Sequence, residues 1–113
     1  GTSGYGIYID ANNKFHLTKP NIADLVDSVS SITNNKWHHI VATLSGGVGV
    51  LYLDGVLDKQ TSTATTFANT SGSLFIGEDG AGAFRFGGKI DYFQLYNRAL
   101  SATEVKQLYN LGK

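Results

Sequence analysis

The side chains of this sequence that could do chemistry are its carboxylates and its three histidines. Hydrolysis of a glycosidic bond with retention needs two carboxyl groups about 5 Å apart on one face of the protein. Glu78 and Asp79 are adjacent, so they would point to opposite faces of a strand, and Glu104 is placed to cap a helix. The Gly-x-Ser-x-Gly motif of serine hydrolases does not occur. The sequence therefore predicts that the protein is not an enzyme.

The histidines do not form a metal-binding pattern. His38 and His39 are adjacent, and because neighbouring residues of a strand face opposite ways, their rings cannot meet on one ion. His16 stands alone in its segment. The chain also has no cysteine, which excludes disulfides and thiolate metal sites. We therefore expect no metal at the histidines.

The composition is that of one globular domain spanning residues 1–113. Hydrophobic residues make up 42% of the chain, which is enough for an ordinary core. The formal net charge is zero, so neither nucleic acid nor a membrane is an expected partner. Fourteen glycines against one proline indicate many turns between short strands.

Alternating and β-branched patterns predict strands along most of the chain. Residues 5–10 and 14–18 fit a hairpin closed by the turn Ala11–Asn13. Residues 21–33 fit either a helical face or a strand, and we interpret them as a loop with a short strand. Residues 36–45 predict one long strand.

A second hairpin is the clearest local signal. Its two apolar runs are separated by Asp54-Gly55, a pair that accepts positive φ at both corners of a type I′ turn. Further strands are predicted at 71–79 and within 83–97, with a bend at Gly87-Gly88. Because the strands are closely spaced with no helices between them, they must pair antiparallel, as in a sandwich or barrel.

The C-terminal segment predicts one short helix. Ser101 and Glu104 have the spacing of a capping box, and Leu100 and Val105 occupy the positions of a hydrophobic staple. A helix of about two turns is not stable alone in water. We therefore expect it to end near Gly112 and to cover an end of the sheet stack, in a structural role.

Four landmarks follow one another along the chain: KWHHIVATL, LYLDGVL, LFIGED and FGGKIDYFQLYNRALSATEV. Together they resemble the laminin-G-like jelly rolls of the concanavalin A-like lectin/glucanase superfamily. That family shows, in the same order, a WHHVA strand, a YVDG hairpin, an IG strand and a GxIDxxxIYNRALSxxEI segment; pentraxins are more distant relatives. The resemblance implies an all-β fold, an antiparallel jelly-roll sandwich with one short C-terminal helix.

The resemblance also implies roles for individual residues. Glu78 and Asp79 lie where pentraxins place an acidic calcium-binding loop, although a solvated turn is the alternative. Asp79 and Arg85 form our candidate pair for binding a carbohydrate. Asp91 is expected to satisfy loop amides with its carboxylate, and Trp37 to pack in or beside the core.

Members of this family have several more strands before the position of Tyr5. We therefore expect a parent-chain segment or a neighbouring chain to complete the sheet, because open edges and an apolar face would otherwise be exposed. The resemblance implies a non-catalytic recognition or adhesion module at the cell or virion surface or secreted, binding carbohydrate or a protein surface. The alternative is a structural module of a capsid, fibre or filament.

Overall fold

The computed structural model describes residues 6–19, 23–62, 87–91, 93–96 and 98–112. The strands and the helix in these residues are β1 (Gly6–Ile9), β2 (Lys14–Lys19), β3 (Ala23–Ser31), β4 (Ile40–Ser45), β5 (Val48–Leu53), β6 (Val56–Ser62) and α1 (Ala102–Leu111). The strands pair antiparallel in two sheets, a first sheet β1-β2-β3 and a second sheet β4-β5-β6. The expected all-β sandwich with one C-terminal helix is confirmed.

The turn between β1 and β2 is closed by Asp10. Its Oδ1 accepts hydrogen bonds from the backbone N–H groups of Asn12, at 2.8 Å, and Lys14, at 3.1 Å. Asn13 has a φ of 62°, in the left-handed region that asparagine tolerates better than most residues. The hairpin expected from the sequence is therefore present, with a side chain that fixes its corner.

Strand β3 corrects one interpretation of the sequence. Residues 23–31, expected to be a loop with a short strand, form a nine-residue strand whose pairing with β2 contains two register shifts. At one shift the Ser28 hydroxyl accepts a hydrogen bond from the Phe15 N–H, at 3.0 Å, and donates one to the Ser30 carbonyl, at 2.8 Å. Serine side chains that suggested a loop therefore replace backbone partners inside an irregular strand.

The turn between β5 and β6 has the expected geometry. The φ angles of Asp54 and Gly55 are 51° and 81°, both positive as a type I′ turn requires.

Strand β4 is shorter than predicted, because it begins at Ile40 and not at Lys36. The chain turns at Asn35, whose φ is 63°, and Asp54 then contacts His38 and His39. Trp37 lies in this segment before the strand and is 67% exposed. The expectation that Trp37 packs in or beside the core is therefore wrong, because the alternation of β4 does not extend back to it.

The main core lies between the two sheets. Its buried side chains come from β2 to β5 and are Phe15, Leu17, Val26, Leu44 and Leu51. All five are at most 7% exposed, and burial of such side chains contributes about 1.5–3 kcal/mol each. Asp58 on β6 also links the sheets, since its carboxylate accepts the backbone N–H groups of Val29, at 2.7 Å, and Ser30.

The capping box of α1 is present as predicted. The Ser101 hydroxyl accepts the Glu104 N–H at 3.2 Å, and the Glu104 carboxylate accepts the Ser101 N–H at 3.0 Å. Gly112 caps the other end, with its N–H directed to the carbonyls of Leu108 and Tyr109 at 3.3 and 3.2 Å. Its φ of −87° is right-handed, so this cap does not use the freedom of glycine.

The helix covers the outer face of the second sheet, not an end of the sandwich. Leu100 and Val105, which are 8% and 0% exposed, pack with Tyr52 of β5 and with Val41 of β4. Tyr52 and Val41 are a cross-strand pair whose sequence neighbours face the main core. Because strand residues alternate between faces, the second sheet has two apolar faces. One packs against the first sheet, and the helix is needed to cover the other.

The described parts of the C-terminal motif contain no strand: residues 87–91 and 93–96 have no strand pairing, and the chain bends at Gly88. The predicted strand within 83–97 is therefore not found where this segment is described. The segment 71–79 lies outside the described residues. None of the helical residues that the structure describes forms a span long and apolar enough to cross a membrane.

Candidate functional site

Three of the residues singled out from the sequence lie outside the described residues: Glu78, Asp79 and Arg85. The calcium loop and the carbohydrate-binding pair therefore remain predictions. Asp91 is described and exposed, and its expected role towards loop amides also remains a prediction. The described residues instead bring together three other groups of polar side chains.

The first group, the His16 cluster, consists of Tyr8, Asp10, His16, Asp24 and Asp27 on the outer face of the first sheet. The imidazole of His16 is 7% exposed. Its Nδ1 lies 2.7 Å from Asp27 and 3.8 Å from Asp24, while its Nε2 lies 2.8 Å from Asp10. The Tyr8 ring stacks on the imidazole with centroids 4.5 Å apart and planes tilted by 16°. One buried ring therefore contacts three carboxylates and an aromatic face.

An irregularity in the sheet assembles this cluster. His16 is opposite Asp27 in the register, whereas Thr18 is opposite Asp24, with a shift between Leu17 and Thr18. In a regular strand Asp24 and Asp27 would point to opposite faces, because they are three residues apart. The β-bulge restores them to one face. It thus places two carboxylates beside the same nitrogen.

The contacts of His16 favour the positively charged form of the ring. A neutral imidazole has one N–H donor and one acceptor nitrogen, whereas both ring nitrogens here are within 2.8 Å of a carboxylate oxygen. Burial lowers the pKa of His16, but hydrogen bonds to Asp27 and Asp10 and the charge of Asp24 outweigh it, so the pKa is raised. The hydrogen bond from His16, with the backbone N–H of Lys14, lowers the pKa of Asp10.

Tyr8 orients the exposed side of the cluster. Its hydroxyl donates a hydrogen bond to Asp24 Oδ2 at 2.8 Å. Burial, this hydrogen bond and the neighbouring aspartate charges raise the pKa of Tyr8 to about 12. Tyr8 therefore stays a neutral donor throughout the physiological range and holds Asp24 next to the imidazole.

The second group, the Asp54 corner, consists of Thr33, His38, His39 and Asp54. Asp54 accepts a hydrogen bond from His38 Nδ1 at 2.8 Å and one from the backbone N–H of His39 at 2.9 Å, while His38 Nε2 lies 2.8 Å from the Thr33 hydroxyl. Since a hydroxyl can donate to Nε2, a neutral imidazole satisfies both contacts of His38. His38 and His39 both precede β4, which begins at Ile40, so the strand alternation assumed for them from the sequence does not apply.

His39 differs from both other histidines. Its Nδ1 is buried without a hydrogen-bond partner, and burial lowers its pKa although the charge of Asp54 opposes this. Its ring lies 6.1 Å from that of Tyr109 on α1. A Cβ added to Gly55 would come within 2.9 Å of the same Tyr109 ring. The helix therefore seals the Asp54 corner, and Gly55 leaves the space for it.

The third group, the helix cleft, is a surface depression of about 180 Å³ beside α1. It is lined by Tyr96, Arg98, Leu100, Glu104, Gln107, Leu108 and Leu111. Arg98 binds both carboxylate oxygens of Glu104, and this ion pair with the Ser101 N–H lowers the pKa of Glu104 to about 2. Tyr96 is 43% exposed beside the pair. The cleft thus combines an aromatic ring, a charged pair and a side-chain amide.

A laminin G-like family model, described as the concanavalin A-like lectin/glucanases superfamily, matches residues 1–106 of the 113-residue chain. The chain belongs to this superfamily. A similar fold occurs in the crystal structure of an S-layer domain-containing protein from Clostridium thermocellum, with a TM-score of 0.62 and 24% sequence identity. The alignment covers 96% of the laminin G-like chain but 64% of that structure, less than two thirds of its length. No curated protein matches the sequence significantly.

The residues of the His16 cluster lie far apart in the sequence of this laminin G-like chain and form no recognisable motif. Asp10, Asp24 and Asp27 are separated from His16 by six, eight and eleven positions, so no short local motif brings them together. The pairing of His16 with Asp27 depends on treating residues 23–31 as a strand, and the position of Asp24 depends on the bulge. Of the patterns in the sequence, only the interpretation of residues 21–33 as a strand was consistent with the His16 cluster.

Proposed function

We propose that the protein is a non-catalytic recognition module that works outside the cell and binds carbohydrate at the helix cleft. Its membership of a lectin-containing superfamily supports the class of function. The observation that carries the proposal is the position of the half-exposed Tyr96 ring beside the Arg98–Glu104 pair and the Gln107 amide. Sugar recognition uses an aromatic surface for the apolar face of the ring together with polar groups for its hydroxyls.

The polar groups of the cleft suit a ligand rich in hydroxyl groups. The guanidinium of Arg98 uses two N–H groups on Glu104, and an arginine has five. The ion pair is therefore held in place while further donors remain on the same side chain. Gln107 adds both a donor and an acceptor on the facing turn of α1. A hydroxyl group, which also donates and accepts, matches this combination.

A glycan array tests the proposal. The wild-type protein is expected to bind one sugar class, and Tyr96→Ala is expected to lose at least nine tenths of the signal because the ring no longer contacts the sugar. Phe93→Ala is the matched control, since Phe93 is 50% exposed in the same segment but does not line the cleft. Each protein is assayed with calcium and with a chelator, which also tests the predicted loop at Glu78 and Asp79.

Equal binding by wild type and Tyr96→Ala would place the sugar elsewhere and contradict the proposed site. A blank array for the wild type, with and without calcium, would contradict carbohydrate recognition itself. Loss of binding in Phe93→Ala as well as Tyr96→Ala would indicate a general defect of the segment and would also count against the cleft.

A specific observation favours a second function, that of an assembly module completed by a neighbouring chain. Ile90, Phe93 and Leu95 are 49%, 50% and 61% exposed within ten residues, and exposed apolar side chains in sequence are typical of association surfaces. Sedimentation velocity at increasing concentration distinguishes the two functions. Self-association that Leu95→Lys abolishes, together with a blank array, supports assembly; a well-folded monomer at all concentrations contradicts it.

A further inference from the structure

We propose that His16 Nδ1, Asp24 and Asp27 form a binding site for a zinc-class divalent cation on the outer face of the first sheet. The donor atoms of these three residues all lie within 4.8 Å of one another. The site is independent of the helix cleft, which lies beside α1 on the far side of the second sheet. It gives the domain a metal centre that the spacing of its histidines does not predict.

The distances fit a small tetrahedral ion after a minor adjustment. A zinc ion with ligands at about 2.0–2.1 Å separates neighbouring donor atoms by roughly 3.3 Å. The observed distances from Nδ1 are 2.7 Å to Asp27 and 3.8 Å to Asp24, on either side of that value. The side chains of Asp24 and Asp27 are 36% and 63% exposed. An ion can therefore enter from solvent and displace the proton between Nδ1 and Asp27.

A separate carboxylate prepares the other side of the imidazole. Asp10 is not part of the ligand group, yet its Oδ2 lies 2.8 Å from Nε2. Histidines that bind metals through one nitrogen commonly donate the other N–H to a carboxylate, which fixes the tautomer and the ring orientation. Asp10 is itself fixed by the backbone of the β1–β2 turn. Tyr8 fixes the ring plane by stacking and holds Asp24 by a hydrogen bond.

The choice of ligands selects the class of metal. Calcium and magnesium prefer oxygen ligands alone, whereas an imidazole nitrogen with carboxylates suits zinc and its neighbours in the transition series. The charges agree with this, because three carboxylates surround one imidazole. A divalent ion neutralises more of that charge than the single proton it replaces. The three side chains leave a further position of a tetrahedral ion open to water or to another ligand.

The test adds zinc chloride, as the probe, to the whole chain after it has been treated with a chelator. Isothermal titration is expected to give one zinc per chain for the wild type, and the long-range ¹⁵N spectrum is expected to show a shift at His16 Nδ1 with the Nε2 proton retained. Asp24→Asn is expected to weaken zinc binding at least tenfold. This variant removes one of the proposed metal ligands. Because the side chain of Asp24 is exposed, the variant is expected to fold normally.

The matched control is His38→Gln, because His38 is also paired with a carboxylate but with only one. It is expected to bind zinc as the wild type does, whereas His16→Gln is expected to bind none. Absence of stoichiometric zinc binding by the wild type would overturn the proposal. Undiminished binding by Asp24→Asn, or loss of binding by His38→Gln, would overturn it equally, since the ion would then be bound elsewhere.

Discussion

The His16 cluster and the Asp54 corner both pair a histidine with aspartate. They differ because several carboxylates contact one imidazole in the cluster, whereas one carboxylate contacts several groups in the corner. In the cluster, carboxylates from the turn after β1 and from β3 contact two nitrogens of one imidazole. In the corner, one carboxylate serves a histidine ring and a backbone N–H. Aspartate and histidine therefore stabilise a positive charge in the cluster, and they fix the backbone in the corner.

Part of this difference arises because helix α1 covers the corner and not the cluster. The corner lies under α1, where Tyr109 packs against Gly55 and near His39. The His16 cluster has no helix over it among the described residues, and its Asp27 side chain is 63% exposed. A carboxylate in a covered site must satisfy buried N–H groups, whereas Asp24 and Asp27 keep contact with solvent while they surround the buried His16 ring. We therefore expect the corner to respond mainly to changes in packing and the cluster to changes in charge.

Substitution of Gly55 is expected to have the largest effect. Gly55→Ala puts a Cβ within 2.9 Å of the Tyr109 ring at a residue whose φ is +81°. Positive φ costs about 1–2 kcal/mol for a residue with a Cβ, and forcing the ring aside costs about 1–3 kcal/mol more. Urea unfolding is expected to show a loss of about 3 kcal/mol.

Gly46→Ala is the matched control, because its φ is +57° and no atom lies within 4 Å of the added Cβ. It is expected to lose only the backbone cost of about 1 kcal/mol. Equal losses for the two variants would mean that Tyr109 moves aside freely and does not seal the corner.

Loss of the helix cap comes next. Ser101→Ala removes the acceptor for the Glu104 N–H, and such a change at an N-cap costs about 1 kcal/mol. Because α1 covers the corner and not the cluster, NMR is expected to show a shift of the His39 ring signals while those of His16 stay unchanged. Thr103→Ala, one residue inside the helix and exposed, is the control and should leave both histidines unaltered. A shift at His16 would contradict the separation of the two regions.

A smaller effect, confined to pH values above 6.5, separates the histidines by charge. The pKa of His16 is raised above 6.5, so its contribution to stability is fully present below pH 6.5 and is lost as the pH rises through the folded pKa. We expect the free energy of unfolding of chelator-treated wild type to fall as the pH rises from 6.5 through the folded pKa of His16. His16→Gln should remove this dependence, and His38→Gln should retain it, as urea titrations at several pH values can measure.

His39 provides an internal check of the sign. Its pKa is lowered by burial, so its contribution is present above pH 6.5 and is lost as the pH falls through the lower folded pKa. His39→Gln should therefore flatten the stability profile below pH 6.5 and leave the profile above pH 6.5 as in the wild type. A His16→Gln profile that still declines as the pH rises above 6.5 would show that another group is responsible.

Local signals in the sequence predicted the corner better than the cluster. Asp54-Gly55 and the pair Ser101–Glu104 each act over two to four residues, so their positions follow from the chain itself. The sandwich followed from alternation and from the family motifs. The cluster instead depends on a register shift between β2 and β3, and a one-residue shift reverses which face a side chain occupies. That shift is set by packing across strands, which a single strand pattern does not encode.

The smallest expected effect is a change in the pKa of His16 without a loss of fold. It ranks the carboxylates of the cluster by their effect on that pKa. In chelator-treated protein, Asp27→Asn and Asp10→Asn should each lower the pKa of His16, as followed by NMR of its ring. Asp27 should matter more, because its contact of 2.7 Å is accompanied by a charge effect, while Asp10 acts mainly through its hydrogen bond. Asp54→Asn, the counterpart in the corner, should leave the His16 titration unchanged. If Asp10→Asn lowered the pKa of His16 and Asp27→Asn did not, the charged imidazole would be stabilised mainly through the contact of Nε2 with Asp10. The Nδ1 side would then be a poor place for any cation, and the distinction drawn between the cluster and the corner would lose its electrostatic basis.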